Sequence, residues 1–224
     1  MKKFLFYIFL CWFSLLLSCE KGESGVIDPS IPFYQNLGVS YDVTREVTRI
    51  GANFNKNNRE GISLRLPEKG ILFNGEIPTF LGMGDYMYML SKPGLIPVTF
   101  TFQRWEDKVY TNHVSINDVL PIAIPDTLVE IHSRKLTVLN WIGAPIGEDE
   151  FIQVHITYDG GVYDTNSDLV GTKNISFHFS NVTSAAKGVL YVSRVKNLPL
   201  QETNGNAGGN IRVSYVQSKD IEFK

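Results

Sequence analysis

Val98-Thr99-Phe100-Thr101-Phe102-Gln103 alternates apolar and polar side chains with a period of two. Successive side chains leave a strand on opposite sides, so this stretch reads as a strand with one oily and one wet face. The pattern recurs at Ile152-Gln153-Val154-His155-Ile156-Thr157 and at Ile175-Ser176-Phe177-His178-Phe179-Ser180, and again at Ile211, Val213 and Tyr215. One buried and one solvated face is the mark of antiparallel strands in a two-sheet sandwich, and the expected class is all-β.

Turn chemistry agrees. Pro67-Glu68-Lys69-Gly70 separates Ile62–Leu66 from Ile71–Phe73, with proline presetting a turn and glycine supplying positive φ. Asp159-Gly160-Gly161 separates Phe151–Tyr158 from Val162 and Tyr163 as a short hairpin loop. Asn53 to Gly61 reads as a polar loop, and Thr183-Ser184-Ala185-Ala186-Lys187 before Gly188 as about one helical turn.

Two prolines bracket Pro121-Ile122-Ala123-Ile124-Pro125-Asp126, which reads as an extended linker. It divides the body into residues 35–125 and 126–224. Each piece is the size of an immunoglobulin-like antiparallel β-sandwich, giving two in tandem. Trp141, on an early strand of the second piece, suits the centre of such a sandwich. A single larger sandwich is the alternative.

The 224 residues are 43% hydrophobic and 20% charged, which excludes a disordered chain. Formal net charge is −2, so no global attraction to nucleic acid is expected. Two cysteines, Cys11 and Cys19, make neither a disulfide scaffold nor a cysteine-based zinc site.

The N-terminus carries more information. Met1-Lys2-Lys3 is cationic, Phe4 to Leu17 is a run of 14 residues interrupted only by Ser14, and Ser18-Cys19-Glu20-Lys21-Gly22 ends it. A basic tip, a short apolar stretch and small residues describe a secretory signal over residues 1–18. A membrane span needs about 20 apolar residues. Leu16-Leu17-Ser18-Cys19 resembles the lipobox of bacterial lipoproteins. That resemblance implies cleavage before Cys19, acylation of its sulfur and amino group, and a palmitate-type lipid anchor in the membrane. Glu20, where an aspartate can mark inner-membrane retention, implies the outer membrane of a Gram-negative envelope. Cleavage leaves 19 basic against 23 acidic residues, a net charge of −4, so the lipid rather than surface charge must hold the body. Residues 19–34, rich in Gly, Ser, Pro and charge, read as a flexible tether.

Motifs for chemistry are sparse. His113, His132, His155 and His178 lack helical zinc spacing; His155 and His178 share a site only if their strands are neighbours, and two solvated histidines are the better reading. Asp164, Asn166 and Asp168 alternate as in a calcium loop, but Leu169 and Ile175 stand where that loop needs glycine and glutamate, so a polar hairpin loop is expected. No nucleophile elbow or phosphate-binding glycine loop occurs. Neither a catalytic residue, a metal site nor a cofactor is expected.

Aromatic side chains are the binding candidates. Trp105 sits at a strand end, suited to stacking on a sugar or to a partly buried edge position. Tyr86 and Tyr88, within Gly82-Met83-Gly84-Asp85-Tyr86-Met87-Tyr88-Met89-Leu90, form either an adaptable contact surface or one face of a strand. Asp126-Thr127-Leu128 resembles the O-glycosylation site of some Gram-negative secreted proteins, with Thr127 as acceptor. The arrangement of lipobox, tether and sandwiches resembles outer-membrane accessory lipoproteins, which implies capture of a glycan or another surface ligand without catalysis. A surface-assembly subunit that exchanges its C-terminal strand Ile211–Lys224, and a periplasmic hydrolase, are the alternatives.

Overall fold

The computed structural model describes residues 22–23, 30–82, 86–105, 108–128, 130–132, 135–179 and 186–224. Among them the chain is all-β, with no α-helix and one 3-10 turn at Ile116–Asp118. The first strands are β1 (Gly22–Glu23), β2 (Phe33–Asp42), β3 (Val47–Lys56), β4 (Leu64–Arg65), β5 (Ile71–Phe73) and β6 (Thr79–Leu81). There follow β7 (Met87–Pro93), β8 (Val98–Trp105), β9 (Lys108–Val114), β10 (Ile122–Ala123), β11 (Glu130–Ile131) and β12 (Leu136–Asn140). The last are β13 (Ile142–Gly143), β14 (Glu150–Tyr158), β15 (Gly161–Ser167), β16 (Asn174–His178), β17 (Lys187–Leu198) and β18 (Gly209–Phe223).

The main sheet runs β15-β14-β17-β18-β2-β3-β7-β6, with β11 beside the end of β18. Its neighbours are antiparallel except at β18/β2 and β11/β18. The β5-β8-β9 sheet and the β12-β16 and β10-β13 ribbons form the second layer. Period-two alternation places the apolar residues between the layers: Val98, Phe100 and Phe102 are each 1% exposed, and Ile152, Val154 and Ile156 are wholly buried. Each fully buried phenylalanine contributes about 1.5–3 kcal/mol.

These side chains gather in two clusters. One joins residues of β2, β3, β5, β7, β8 and β9; the other joins residues of β10, β11, β12, β14, β16 and β17. β18 serves both, with Ile211 and Val213 in the first cluster and Ile221 and Phe223 in the second. Ile211 and Val213 therefore do not stay within the 126–224 unit expected from sequence. The reason is the parallel pairing of Ile211 with Leu37 and of Val213 with Val39, a contact between distant chain segments that local pattern does not encode. β18 also lies between β17 and β2, in the interior of the sheet and not at an edge.

Other boundaries shift through pairing of the same kind. The expected tether ends earlier, because Phe33 is wholly buried and opens β2; Gly22–Glu23 of the same segment pairs in parallel with Leu64–Arg65. The expected linker is a strand in part. Ile122 and Ile124 are buried, Ile122–Ala123 pairs with Ile142–Gly143, and the Ile124 amide donates to Gln217 Oε1 at 2.6 Å. Asn53 and Asn55 belong to β3, and Asp164 and Asn166 to β15, not to loops. The expected helical turn at 183–187 falls largely outside the described residues.

The Pro67–Gly70 turn is present, with the Gly70 amide donating to Pro67 O at 2.9 Å, but the positive φ belongs to Lys69 at 65°. Gly70 is needed for closeness instead: a Cβ there would stand 2.9 Å from Pro67 O. This turn leads from β4 to β5, which pairs with β8, so it closes no hairpin. The Asp159–Gly161 hairpin forms as read, pairing Tyr158 with Gly161.

Candidate functional site

At the β6–β7 edge of the main sheet lies a cleft of about 560 Å³. Phe80 pairs with Tyr88 across β6 and β7, so both rings point to the packed side, while Met89 on the alternate register points to the open side. The Pro67–Lys69 turn and Ile77 close the opposite wall. Phe80 contacts Tyr88 at 5.3 Å and Tyr86 at 5.4 Å between ring centroids, and the Arg65 guanidinium carbon lies 5.0 Å from the Phe80 centroid. A cation over an aromatic face is attracted by the ring quadrupole. The result is an aromatic wall with Arg65, Glu68 and Lys69 at its rim.

The two tyrosines play different parts. Tyr88 is 6% exposed; its hydroxyl accepts from the Leu66 amide at 2.6 Å and reaches Leu66 O at 3.4 Å. Burial raises its pKa above the ordinary tyrosine value, partly offset by the Leu66 hydrogen bond and by Arg65. Tyr88 is thus a packed floor for the cleft, which answers to the strand-face reading. Tyr86 is half-buried, and its amide donates to Ser63 Oγ at 3.0 Å. Met83, Gly84 and Asp85 lie outside the described residues.

Phe80, Arg65 and Ile77 were missed in sequence because no pattern joins them to Tyr86 and Tyr88. A hint existed in Ile77-Pro78-Thr79-Phe80, whose proline restricts the backbone before an exposed edge strand; Ile77 is 51% exposed.

The other sequence candidates are dispersed. Cys19 lies outside the described residues, as does the side chain of Trp105. Thr127 is exposed in a turn where the Leu128 amide donates to Pro125 O at 3.1 Å and Lys219 Nζ donates to Asp126 O at 2.8 Å. His155 and His178 sit on different sheets and share no site. His155 Nδ1 lies 2.7 Å from Asp164 Oδ1, and its ring is 5.7 Å from that of Tyr191; His178 is exposed on β16. Among the described residues no group of three or more His, Cys, Asp or Glu side chains is arranged to hold a metal ion. None of their helices is long and apolar enough to cross a membrane.

No protein-family model matches the sequence, and no curated protein matches it. Among solved structures, the crystal structure of titin domains A168–A170 aligns at 14% identity and TM-score 0.23, over 87% of this chain and 65% of that one. This chain therefore spans just under two thirds of the titin chain's length, and the superposition is too slight to bear on fold or function.

Proposed function

We propose that this chain is a lipid-anchored protein of the Gram-negative outer membrane that binds a glycan, without catalysis, in the cleft beside Phe80. The supporting observation is the cleft itself. Its volume and its mixture of aromatic wall and few charged groups match a small-molecule or oligosaccharide site, and the Phe80 ring, backed by Tyr86 and Tyr88, offers an apolar face to the C–H face of a sugar. Arg65, Glu68 and Lys69 would bind hydroxyls at the rim. Leu16-Leu17-Ser18-Cys19 supports the anchor, with Cys19 as the acylated residue. Two or more acyl chains give the lasting membrane attachment that one does not.

In this reading the two hydrophobic clusters are the cores of two immunoglobulin-like sandwiches fused through β18. Thr127 is an O-glycosylation acceptor in the exposed turn, and Trp105 a further ligand contact. The test is a glycan array probed with the full chain in detergent, beside Phe80→Ala and Arg65→Ala. At least one glycan bound by the wild type is expected to lose at least tenfold in both variants; an array silent toward the wild type, or one on which no bound glycan is weakened by either substitution, would overturn the proposal.

A further inference from the structure

The open face of the main sheet holds a second concavity, on the side away from the Phe80 cleft. Register aligns Met89, Gly51, Gly38, Arg212 and Asn197 in one row across β7, β3, β2, β18 and β17. Four inter-strand spacings make that row about 19 Å long. Gly38 and Gly51 stand directly opposite each other, in the interior of long strands. Glycine there weakens a strand, and it marks places where something approaches the backbone closely.

Neither glycine is required by the fold. Neither has a positive φ, and a Cβ would meet its nearest neighbour at 3.8 Å over Gly38 and 3.9 Å over Gly51, ordinary contact distances. Their bare backbone instead floors a trough of about 210 Å³ between Arg49, Met89, Arg212 and Ser214. Arg212 joins this trough to a larger polar cavity of about 500 Å³. Tyr34, Asn36, Arg59, Phe151 and Asn210 line that cavity with it.

The chemistry of the lining selects a ligand. The cavity is lined by two arginines, Arg59 and Arg212, and no carboxylate, in a protein whose formal net charge is −2, while Arg49 of the trough is already paired with Asp42 at 3.3 Å. The Arg212 guanidinium carbon lies 5.1 Å from the Phe151 centroid, and Arg212 Nη2 donates to Gln153 Oε1 at 2.9 Å. Partial burial lowers the Arg212 pKa from its ordinary value, and an anion beside the guanidinium would favour its charged form. Asn53, Asn36 and Asn210 form an adjacent row by register, and each amide offers both donors and an acceptor, the complement of sugar hydroxyls. A polyphosphate would use the arginines and the amide N–H groups but, having no donor, would leave the amide oxygens without a partner, whereas sugar hydroxyls serve both.

We propose that this trough and cavity bind a carboxylate-bearing oligosaccharide, its acidic group on Arg212 and Arg59 and its chain lying over Gly38 and Gly51. The site is independent of the Phe80 cleft and of the lipid anchor.

The test uses the full chain in detergent and measures affinity for a panel of uronic-acid oligomers, their methyl-esterified forms, inorganic polyphosphate and phosphatidylglycerol vesicles. At least one uronate oligomer should bind, at least tenfold tighter than its ester, and more weakly as salt is raised. Arg212→Gln and Gly38→Val should each reduce that affinity at least tenfold with folding intact by circular dichroism; Gly38→Ala, which the backbone accommodates, should reduce it less. Phe80→Ala should leave it unchanged, which separates this site from the cleft. Failure of every uronate to bind, equal binding of the ester, tighter binding of polyphosphate or vesicles, or affinity indifferent to both Arg212→Gln and Gly38→Val would each overturn the proposal.

Discussion

Arg194 Nε donates to Glu150 Oε2 at 3.1 Å, with the two side chains 0% and 5% exposed. The same guanidinium donates through Nη2 to the carbonyls of Ala144 and Pro145, and Glu150 Oε2 accepts from the Gly147 amide at 3.0 Å. The pair thus ties β14 and β17 to the Ala144–Gly147 loop, opposite Tyr215, which packs against both hydrophobic clusters. Removing one partner of a buried pair strands the other charge, at a cost of about 3–5 kcal/mol. Arg194→Ala should lose that much in urea denaturation, and the Arg194→Met, Glu150→Met double variant much less. A loss below about 1 kcal/mol in Arg194→Ala would show that the pair is not isolated from water.

Asn112 fastens the β17–β18 loop along β9. Its Oδ1 accepts from the Gln201 and Glu202 amides at 2.8 and 3.1 Å, and its Nδ2 donates to Glu202 O at 3.1 Å. Gln201 then imitates a neighbouring strand, accepting from the His113 amide at 2.9 Å and donating to His113 O at 3.1 Å. Capped edges resist pairing with other chains. Asn112→Ala should cost about 1–3 kcal/mol and increase light scattering at high concentration; a stable, monodisperse variant would contradict this.

Gly51→Ala removes the conformational freedom of a strand glycine where a Cβ fits at 3.9 Å. Stability should rise by about 0.5–1 kcal/mol, visible as a higher Tm by calorimetry. A lower Tm would mean that the bare backbone serves the fold rather than the surface.

Two tyrosines set an alkaline limit. Desolvation by burial is the main cause that raises both Tyr88 and Tyr215 above the ordinary tyrosine value, and the Tyr41 phenol adds to it at Tyr215. The native state therefore holds these protons more tightly than the unfolded chain does. Their contribution is fully present below the unfolded value and is lost as pH rises above it, through the raised native values. Denaturation midpoints should be flat with respect to these groups through neutral pH and fall in strongly alkaline solution. Difference absorbance at 295 nm should show late-ionising tyrosines, with one fewer in Tyr88→Phe. Uniform ionisation of all tyrosines would contradict the burial.

Strand content was legible because alternation is local: Ile175, Phe177 and Phe179 are 5%, 3% and 4% exposed, as their spacing requires. What pattern did not reveal is pairing between distant segments. Nothing near Ile211 announces Leu37 as its parallel neighbour, so the cut at residues 125/126 passed through a shared sheet. The Ile122 and Ile124 pair looked like a linker because two prolines flank it, yet its alternation was already that of a short buried strand. Tyr86 and Tyr88 were visible as aromatic candidates, whereas the hydroxyl bond of Tyr88 to Leu66 depends on how β4 meets β7. The row of Gly38, Gly51 and Arg212 is assembled from three strands and has no signature in any one of them.

The anchor is the claim most directly open to measurement. Cells expressing the full chain, fed radiolabelled or clickable palmitate, should yield a labelled protein in the outer-membrane fraction whose mature N-terminal residue is a lipid-modified Cys19. Cys19→Ala should abolish the label and release the body from the membrane. An unlabelled wild-type protein, or one whose mature chain begins elsewhere and is recovered free of membrane, would contradict the account.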